Sequence, residues 1–140
     1  MEWPKAVLKA KGNNPHIGQI LDDAMGSVQA VIVVFSPDDE ARLKDEFCSK
    51  EEEKTEGKLQ GQARPNVFYE AGLAVGRHPE KTLLIQVGKI KAISDIAGQH
   101  ITRLTNNVGK RTDVLNRLKK IGCKVDRDGE DWADAGDFDI

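Results

Sequence analysis

Apolar residues recur at two different spacings along the chain, and these spacings predict alternating helices and strands. Over 16–28 and 112–121 they recur every three or four residues, which predicts two amphipathic helices. The runs at 30–35 and 82–87 are continuous instead, which is typical of strands buried on both faces of a parallel sheet. A shorter run at 101–104 is a candidate third strand.

Residues that favour helix starts occur at two further places. Ser36, Pro37 and Asp39 have the spacing of an N-cap, a first helical position and a capping box, so a helix is expected after the first strand. Asn66 follows Pro65 and is a suitable N-cap for a second helix. That second helix would then carry a carboxylate in its first turn.

Three segments lack apolar periodicity, and we expect them to be irregular. Residues 4–15 are basic and are interpreted as a loop. Residues 48–62 are rich in Lys, Glu, Gly and Gln and are expected to form a flexible surface excursion, and 126–140 an acidic surface tail. With 140 residues the chain has the length of one domain with one core, so a single domain is predicted over 1–140.

Alternation of strands and helices predicts an α/β fold built on a parallel sheet. In such folds ligands bind outside the carboxyl ends of the strands. Ser36–Asp39, the segment that ends in Glu70, and Ser94-Asp95 all fall there by this interpretation. Helical periodicity places Glu70 at the border between an apolar face and solvent, which makes it the candidate for chemistry.

Composition excludes several classes of function. The formal charge is −2 and aromatics make up 5% of the residues, so neither an electrostatic attraction to nucleic acid nor a base-stacking platform is expected. The longest apolar run, 30–35, is too short to cross a bilayer. Two widely separated cysteines and three histidines lack the spacing of a disulfide or metal site. With no secretory signal in the sequence, we expect a cytoplasmic protein with reduced thiols.

Three motifs in a fixed order resemble a known family. They are 36–43, then Ala63-Arg64-Pro65-Asn66-Val67 with Glu70-Ala71-Gly72, then 94–98. Together they resemble the prokaryotic TIR-like family of predicted nucleotide-binding proteins, which includes Pycsar/CBASS-type TIR effector domains, over about 3–125. The resemblance implies a flavodoxin-like, three-layer fold with a parallel sheet. The family normally begins with a strand and a helix that this sequence does not show, so the domain is expected to be N-terminally incomplete.

The resemblance also implies an activity, which is cleavage of the bond between nicotinamide and ribose in NAD, in antiphage defence. Glu70 occupies the position of the family's catalytic carboxylate, where it would stabilise positive charge that develops on the ribose. Asp38, Arg64, Asn66 and Ser94 are candidate ligand-binding residues. NAD would be a substrate, with no cofactor and no metal. Expected partners are a nucleotide or dinucleotide and a second copy or partner domain, but neither membrane nor nucleic acid.

Other roles for the same residues stay open at this point. Glu70 could be a surface carboxylate favoured by the helix dipole, Asn66 a cap only, and Arg64 a solvent-facing cation. Gly72 and Gly76 are expected to allow close helix packing. Two other functions also stay open: a non-catalytic nucleotide-sensing or protein-assembly module, and a nucleoside deoxyribosyltransferase-like enzyme.

Overall fold

The structure, a computed structural model, describes residues 3–9, 16–93 and 101–140. Its helices are α1 (Trp3–Lys9), α2 (Ile17–Gly26), α3 (Pro65–Arg77), α4 (Val108–Ile121) and α5 (Asp131–Asp134). Its strands are β1 (Val31–Phe35), β2 (Asp39–Ala41), β3 (Gln60–Gln62), β4 (Thr82–Val87) and β5 (Thr102–Leu104).

Three of the strands form a parallel sheet in the order β1-β4-β5. Val33 pairs with Leu84, and Ile85 pairs with Thr102. Helix α3 packs on one face of this sheet, while α4 packs on the other face. The predicted α/β architecture with a parallel sheet between helical layers is therefore confirmed.

The face under α3 contains the larger part of the core. Phe35 is fully buried and its ring lies 5.7 Å from the ring of Phe68. Ala71 and Ala74 of α3 are also buried in the same cluster. Since alanine has a small side chain, the helix can lie close to the strands, and Met25 of α2 joins the same cluster.

Strand β1 is buried on one face only, so the prediction that it is buried on both faces is wrong. Val33 and Phe35 point into the core, whereas Ile32 and Val34 are 48% and 44% exposed. On that second face α4 and its neighbours cover the buried side chains of β4 but not those of β1. An uninterrupted apolar run therefore does not show that both faces of a strand are covered.

The segment after β1 is not helical, which corrects the capping-box prediction. Asp39 lies in β2, which pairs antiparallel with β3, with Asp39 opposite Gln62. Pro37 packs against Gly61, where an added Cβ would lie only 2.6 Å from the Cβ of Pro37. This tertiary contact and the β2–β3 ladder override the local helix-start signal. Residues 48–62, which were expected to form a flexible excursion, therefore end in strand β3.

One further helix and one helix boundary also differ from the prediction. Residues 3–9 form α1, where the sequence indicated a loop over 4–15. Helix α4 begins four residues earlier than predicted, because the side chain of Asn107 accepts hydrogen bonds from the backbone N–H groups of Gly109 and Lys110. At its other end Gly122 has a φ of 99°, which is a left-handed conformation that glycine adopts readily.

A buried cation of α4, Arg111, helps to hold the C-terminal segment. Arg111 donates hydrogen bonds to the carbonyl oxygens of Ala135 (2.6 Å) and Gly136 (3.1 Å). Its guanidinium also lies 4.8 Å from the ring centre of Phe138, which packs beside α4. The acidic tail is therefore exposed over most of its residues but anchored at these points.

Candidate functional site

The carboxyl ends of β1 and β4 lie at the same edge of the sheet, and the segments that follow them meet there. The backbone N–H of Lys91 donates a 2.7 Å hydrogen bond to the carbonyl oxygen of Gly61. Gly61 also lies against Pro37, and an added Cβ at Gly88 would lie 3.2 Å from Cδ of Pro37. Segments 36–38, 61–64 and 88–91 thus form one surface at the sheet edge where α/β folds bind ligands.

Helix α3 starts at this surface, but its cap differs from the prediction. Arg64 is the N-cap and Pro65 occupies the first helical turn, so Asn66 lies inside the helix and the prediction that it is the N-cap is wrong. The residue before a proline favours extended backbone, and Arg64 has a ψ of 144°. The side chains of Arg64 and Asn66 are both exposed.

Glu70 is half-buried and lies at the edge of the core-facing side of α3, next to the buried Ala71 and Ala74. With Pro65 at the start, Glu70 falls in the second helical turn, so its predicted place in the first turn is corrected. Within the described residues its carboxylate has no hydrogen bond or ion pair.

Asp38 lies at the same sheet edge, where a local turn already engages it. The hydroxyl of Ser36 donates a 3.0 Å hydrogen bond to Oδ2 of Asp38, and the backbone N–H of Asp38 donates to the carbonyl oxygen of Ser36. The second oxygen is unengaged among the described groups, and the side chain is exposed. Ser94, the remaining candidate, lies outside the described residues.

Sequence reasoning missed the ionic contact that fixes α3 against α2. Oδ2 of Asp22 accepts hydrogen bonds from Nε (3.2 Å) and Nη2 (2.9 Å) of Arg77, while its Oδ1 lies 2.9 Å from Nε2 of His78. The hydrogen bond from Arg77, supported by His78, lowers the pKa of Asp22 below its ordinary value. Arg77 lies seven positions after Glu70, so this contact restrains the helix flank that carries Glu70. No local sequence pattern could have predicted this contact, since Asp22 and Arg77 are 55 residues apart.

The described residues contain no group of three or more His, Cys, Asp or Glu side chains that could hold a metal ion. Burial, followed by the charge of Glu52, raises the pKa of the Cys48 thiol and makes it a weaker nucleophile. None of the helices in the described ranges combines the length and apolar character that crossing a membrane requires.

Comparison with known proteins gives the family. Residues 2–106 match the family described as "CAP12/Pycsar effector protein, TIR domain". The chain belongs to this family. The TIR domain so defined includes the three-stranded parallel sheet and α3 with Glu70, whereas α4 lies wholly beyond the match. Membership supports a TIR-like domain in defence, and effector TIR domains typically bind nucleotides and oligomerise.

A curated relative of this TIR domain is the uncharacterised protein YuaY of Escherichia coli (strain K12). The two are 32% identical over 104 residues, which cover 74% of this chain and 31% of YuaY. The chain therefore spans about a third of the length of the relative it matches. No solved structure matches the chain significantly.

Proposed function

We propose that this TIR domain hydrolyses NAD, with Glu70 as the catalytic carboxylate. The observation that carries the proposal is a half-buried carboxylate without a partner among the described residues, on the helix that starts at the ligand-binding edge of the sheet. A carboxylate in that setting is available to a substrate, because no cation of the described chain pairs with it. Membership in the TIR effector family supports the same assignment.

The reaction breaks the bond between C1′ of the ribose and the pyridinium nitrogen. The bonding electron pair leaves with nicotinamide, which departs as a neutral molecule, and positive charge develops on the ribose. The Glu70 carboxylate would stabilise that charge. Water then adds to C1′ and loses one proton, so the products are nicotinamide, ADP-ribose and H⁺.

Four further residues complete the proposed site. Arg64, an exposed cation at the start of α3, is suited to contact a phosphate of the dinucleotide. Asn66 lies one turn before Glu70 and can donate to a ribose hydroxyl, and Asp38 can accept from one at the sheet edge. Ser94 is retained as a ligand contact. NAD would be the substrate, and the proposal requires no cofactor.

The test is release of nicotinamide from NAD by the purified chain, measured by liquid chromatography. We expect Glu70→Gln to lower the rate by at least about 100-fold, because it removes the charge that stabilises the transition state. Glu80→Gln, an exposed carboxylate just after the same helix, is the matched control and should keep the full rate. Unchanged release by Glu70→Gln would refute the assignment. Exchange of a free base onto a deoxynucleoside would instead favour a deoxyribosyltransferase reaction.

A second candidate function is protein assembly, which one observation favours. Among the described residues β1 pairs with β4 alone, and its Ile32 and Val34 are exposed. An unpaired strand edge beside apolar side chains can associate with another chain. Light scattering with and without nucleotide tests this function: a dimer or larger species that Val34→Lys disrupts would support it, and a concentration-independent monomer would count against it.

A further inference from the structure

A groove of about 520 Å³ lies between β5 and α4. Strand β5 contributes Thr102 and Arg103, and α4 contributes residues that recur on one helical face. The cationic residues that α4 contributes to the lining are Lys110, Arg117 and Lys120. Glu70, Asp38, Arg64 and Asn66 are not part of its lining.

The groove is strongly basic although the whole chain carries a net negative charge. The described residues of its lining include four cations, Arg103, Lys110, Arg117 and Lys120, against one carboxylate, Asp113. None of the four cations makes an ion pair or side-chain hydrogen bond with another residue in the described part of the chain. Four unpaired like charges around one concavity repel one another, and an anion bound between them would relieve that repulsion.

A buried hydroxyl provides an independent indication of a ligand. Thr102 is 6% exposed, and its Oγ1 is buried without a hydrogen-bond partner among the described residues. Thr102 pairs with Ile85 in the sheet, and the side chain of Ile85 faces α4, so Thr102 points to the α4 side as well. Buried hydroxyls in native proteins are nearly always paired, so a bound oxygen acceptor would explain this one.

We propose that the groove binds a small ligand that carries two or more phosphate groups. Its volume falls within the range of about 300–1,000 Å³ that is usual for small-molecule sites. Phosphate oxygens match both features of the groove, since they accept from arginine and lysine and from a threonine hydroxyl. Among the described residues the lining contains no aromatic side chain on which a nucleobase could stack, so recognition rests on the phosphates.

The test uses inorganic pyrophosphate as the probe, with calorimetry at fixed ionic strength. Arg117→Ala and Lys110→Ala should each weaken binding about tenfold, since each removes a charge-assisted hydrogen bond. Thr102→Val keeps the shape of the side chain and should weaken binding about threefold or more through the lost hydroxyl. Lys119→Ala is the matched control, because Lys119 is an exposed cation of α4 outside the groove lining, and it should leave the dissociation constant within about twofold of wild type.

Further outcomes decide the proposal. Circular dichroism checks that each variant is folded, and charge reversal at the exposed Lys120 (Lys120→Glu) gives a second variant that should abolish binding without disturbing the core. Glu70→Gln should bind pyrophosphate as wild type does, which separates this site from the NAD site. Absence of binding at millimolar pyrophosphate, equal binding by Arg117→Ala, or tighter binding of an acidic peptide or single-stranded oligonucleotide of equal charge would each overturn it.

Discussion

Nη2 of Arg77, in the last turn of α3, lies 2.9 Å from Oδ2 of Asp22 in α2. His78 approaches the other carboxylate oxygen, so one acidic side chain receives two basic groups. Both helices lie on the same face of the sheet, and α3 carries Glu70. The ion pair therefore contributes to the position of the proposed catalytic carboxylate without touching it.

This contact predicts a change in acid stability. The pKa of Asp22 is lowered in the folded chain from its ordinary value of 3.8, so its contribution is fully present above about pH 4 and is lost as pH falls through the lowered folded pKa. Asp22→Asn should reduce stability at pH 7 and remove this part of the acid dependence. Urea unfolding between pH 2 and pH 7 measures both effects.

Asp128→Asn is a suitable control, since Asp128 is exposed and close to the C-terminus. Its stability should follow the wild-type pH curve throughout. If the free energy of unfolding of Asp22→Asn has the same pH dependence as that of wild type, the ion pair does not stabilise the fold.

The two faces of β1 predict opposite sensitivities to truncation. Phe35→Ala removes a fully buried ring and should lower the free energy of unfolding by about 3–5 kcal/mol. Ile32→Ala, three residues earlier on the exposed face, should cost less than about 1 kcal/mol. Denaturant unfolding measures both. Should Phe35→Ala fail to fold, Phe35→Leu should still be measurable, with a loss of about 1 kcal/mol.

A large loss at Ile32 would show that this face is covered in solution. It would then support the assembly function proposed above, and the loss should depend on protein concentration, because association stabilises the folded state by mass action.

Two glycines predict changes of opposite sign. Gly72 and Gly76 were expected to allow close helix packing, but that expectation is wrong, because a Cβ added at either position would meet no atom of a neighbouring described segment within 4 Å. Gly72→Ala should therefore stabilise the interior of α3 by about 1 kcal/mol through helix propensity. At Gly61 a Cβ would lie 2.6 Å from Cβ of Pro37 and 3.0 Å from the carbonyl oxygen of Lys89, so Gly61→Ala should destabilise by about 1–3 kcal/mol.

Thermal unfolding monitored by circular dichroism compares these two variants directly. Gly76→Ala, also in an exposed and uncrowded helical position, should raise the melting temperature as Gly72→Ala does. A lower melting temperature for both helix variants would indicate that α3 packs against a further surface.

Arg111 predicts how the C-terminal segment is held. Arg111→Met keeps much of the side-chain volume but removes the donors to Ala135 and Gly136 and the charge over the ring of Phe138. Loss of these charge-assisted bonds should destabilise the attachment of 131–140 by about 2–4 kcal/mol. Hydrogen exchange with mass spectrometry should show faster exchange in this segment. Lys119→Met, an exposed position of α4, should leave its exchange unchanged.

Local patterns in the sequence identified the main elements correctly. The continuous runs became β1 and β4, the weaker run at 101–104 became β5, and the periodic segments became α2 and α4. These signals are local, since apolar periodicity follows directly from the geometry of a helix or strand. The three motifs in their order likewise identified the TIR family, which the match over 2–106 confirms.

Errors arose where distant residues decided the local structure. The sequence at Ser36–Asp39 predicted a helix start, but this segment leads into β2 instead, because β2 pairs with β3 more than 20 residues later. Asn66 was predicted to cap α3, but the helix begins earlier, because Pro65 favours extended backbone at Arg64 and so makes Arg64 the N-cap. Lys110, Arg117 and Lys120 have a helical spacing that is visible in the sequence. That spacing alone does not indicate a groove, because Thr102 of β5 comes to lie beside these cations only in the folded chain.

The sequence by itself therefore determined the α/β class, the order of the main strands and helices, and the chemical identity of the candidate carboxylate. Only the tertiary structure decided which face of β1 is covered, which groups hold α2 to α3, and which cations surround one groove. The physical reason is range: periodicity and capping act within a few residues, whereas burial and ion pairing depend on segments that are brought together by folding.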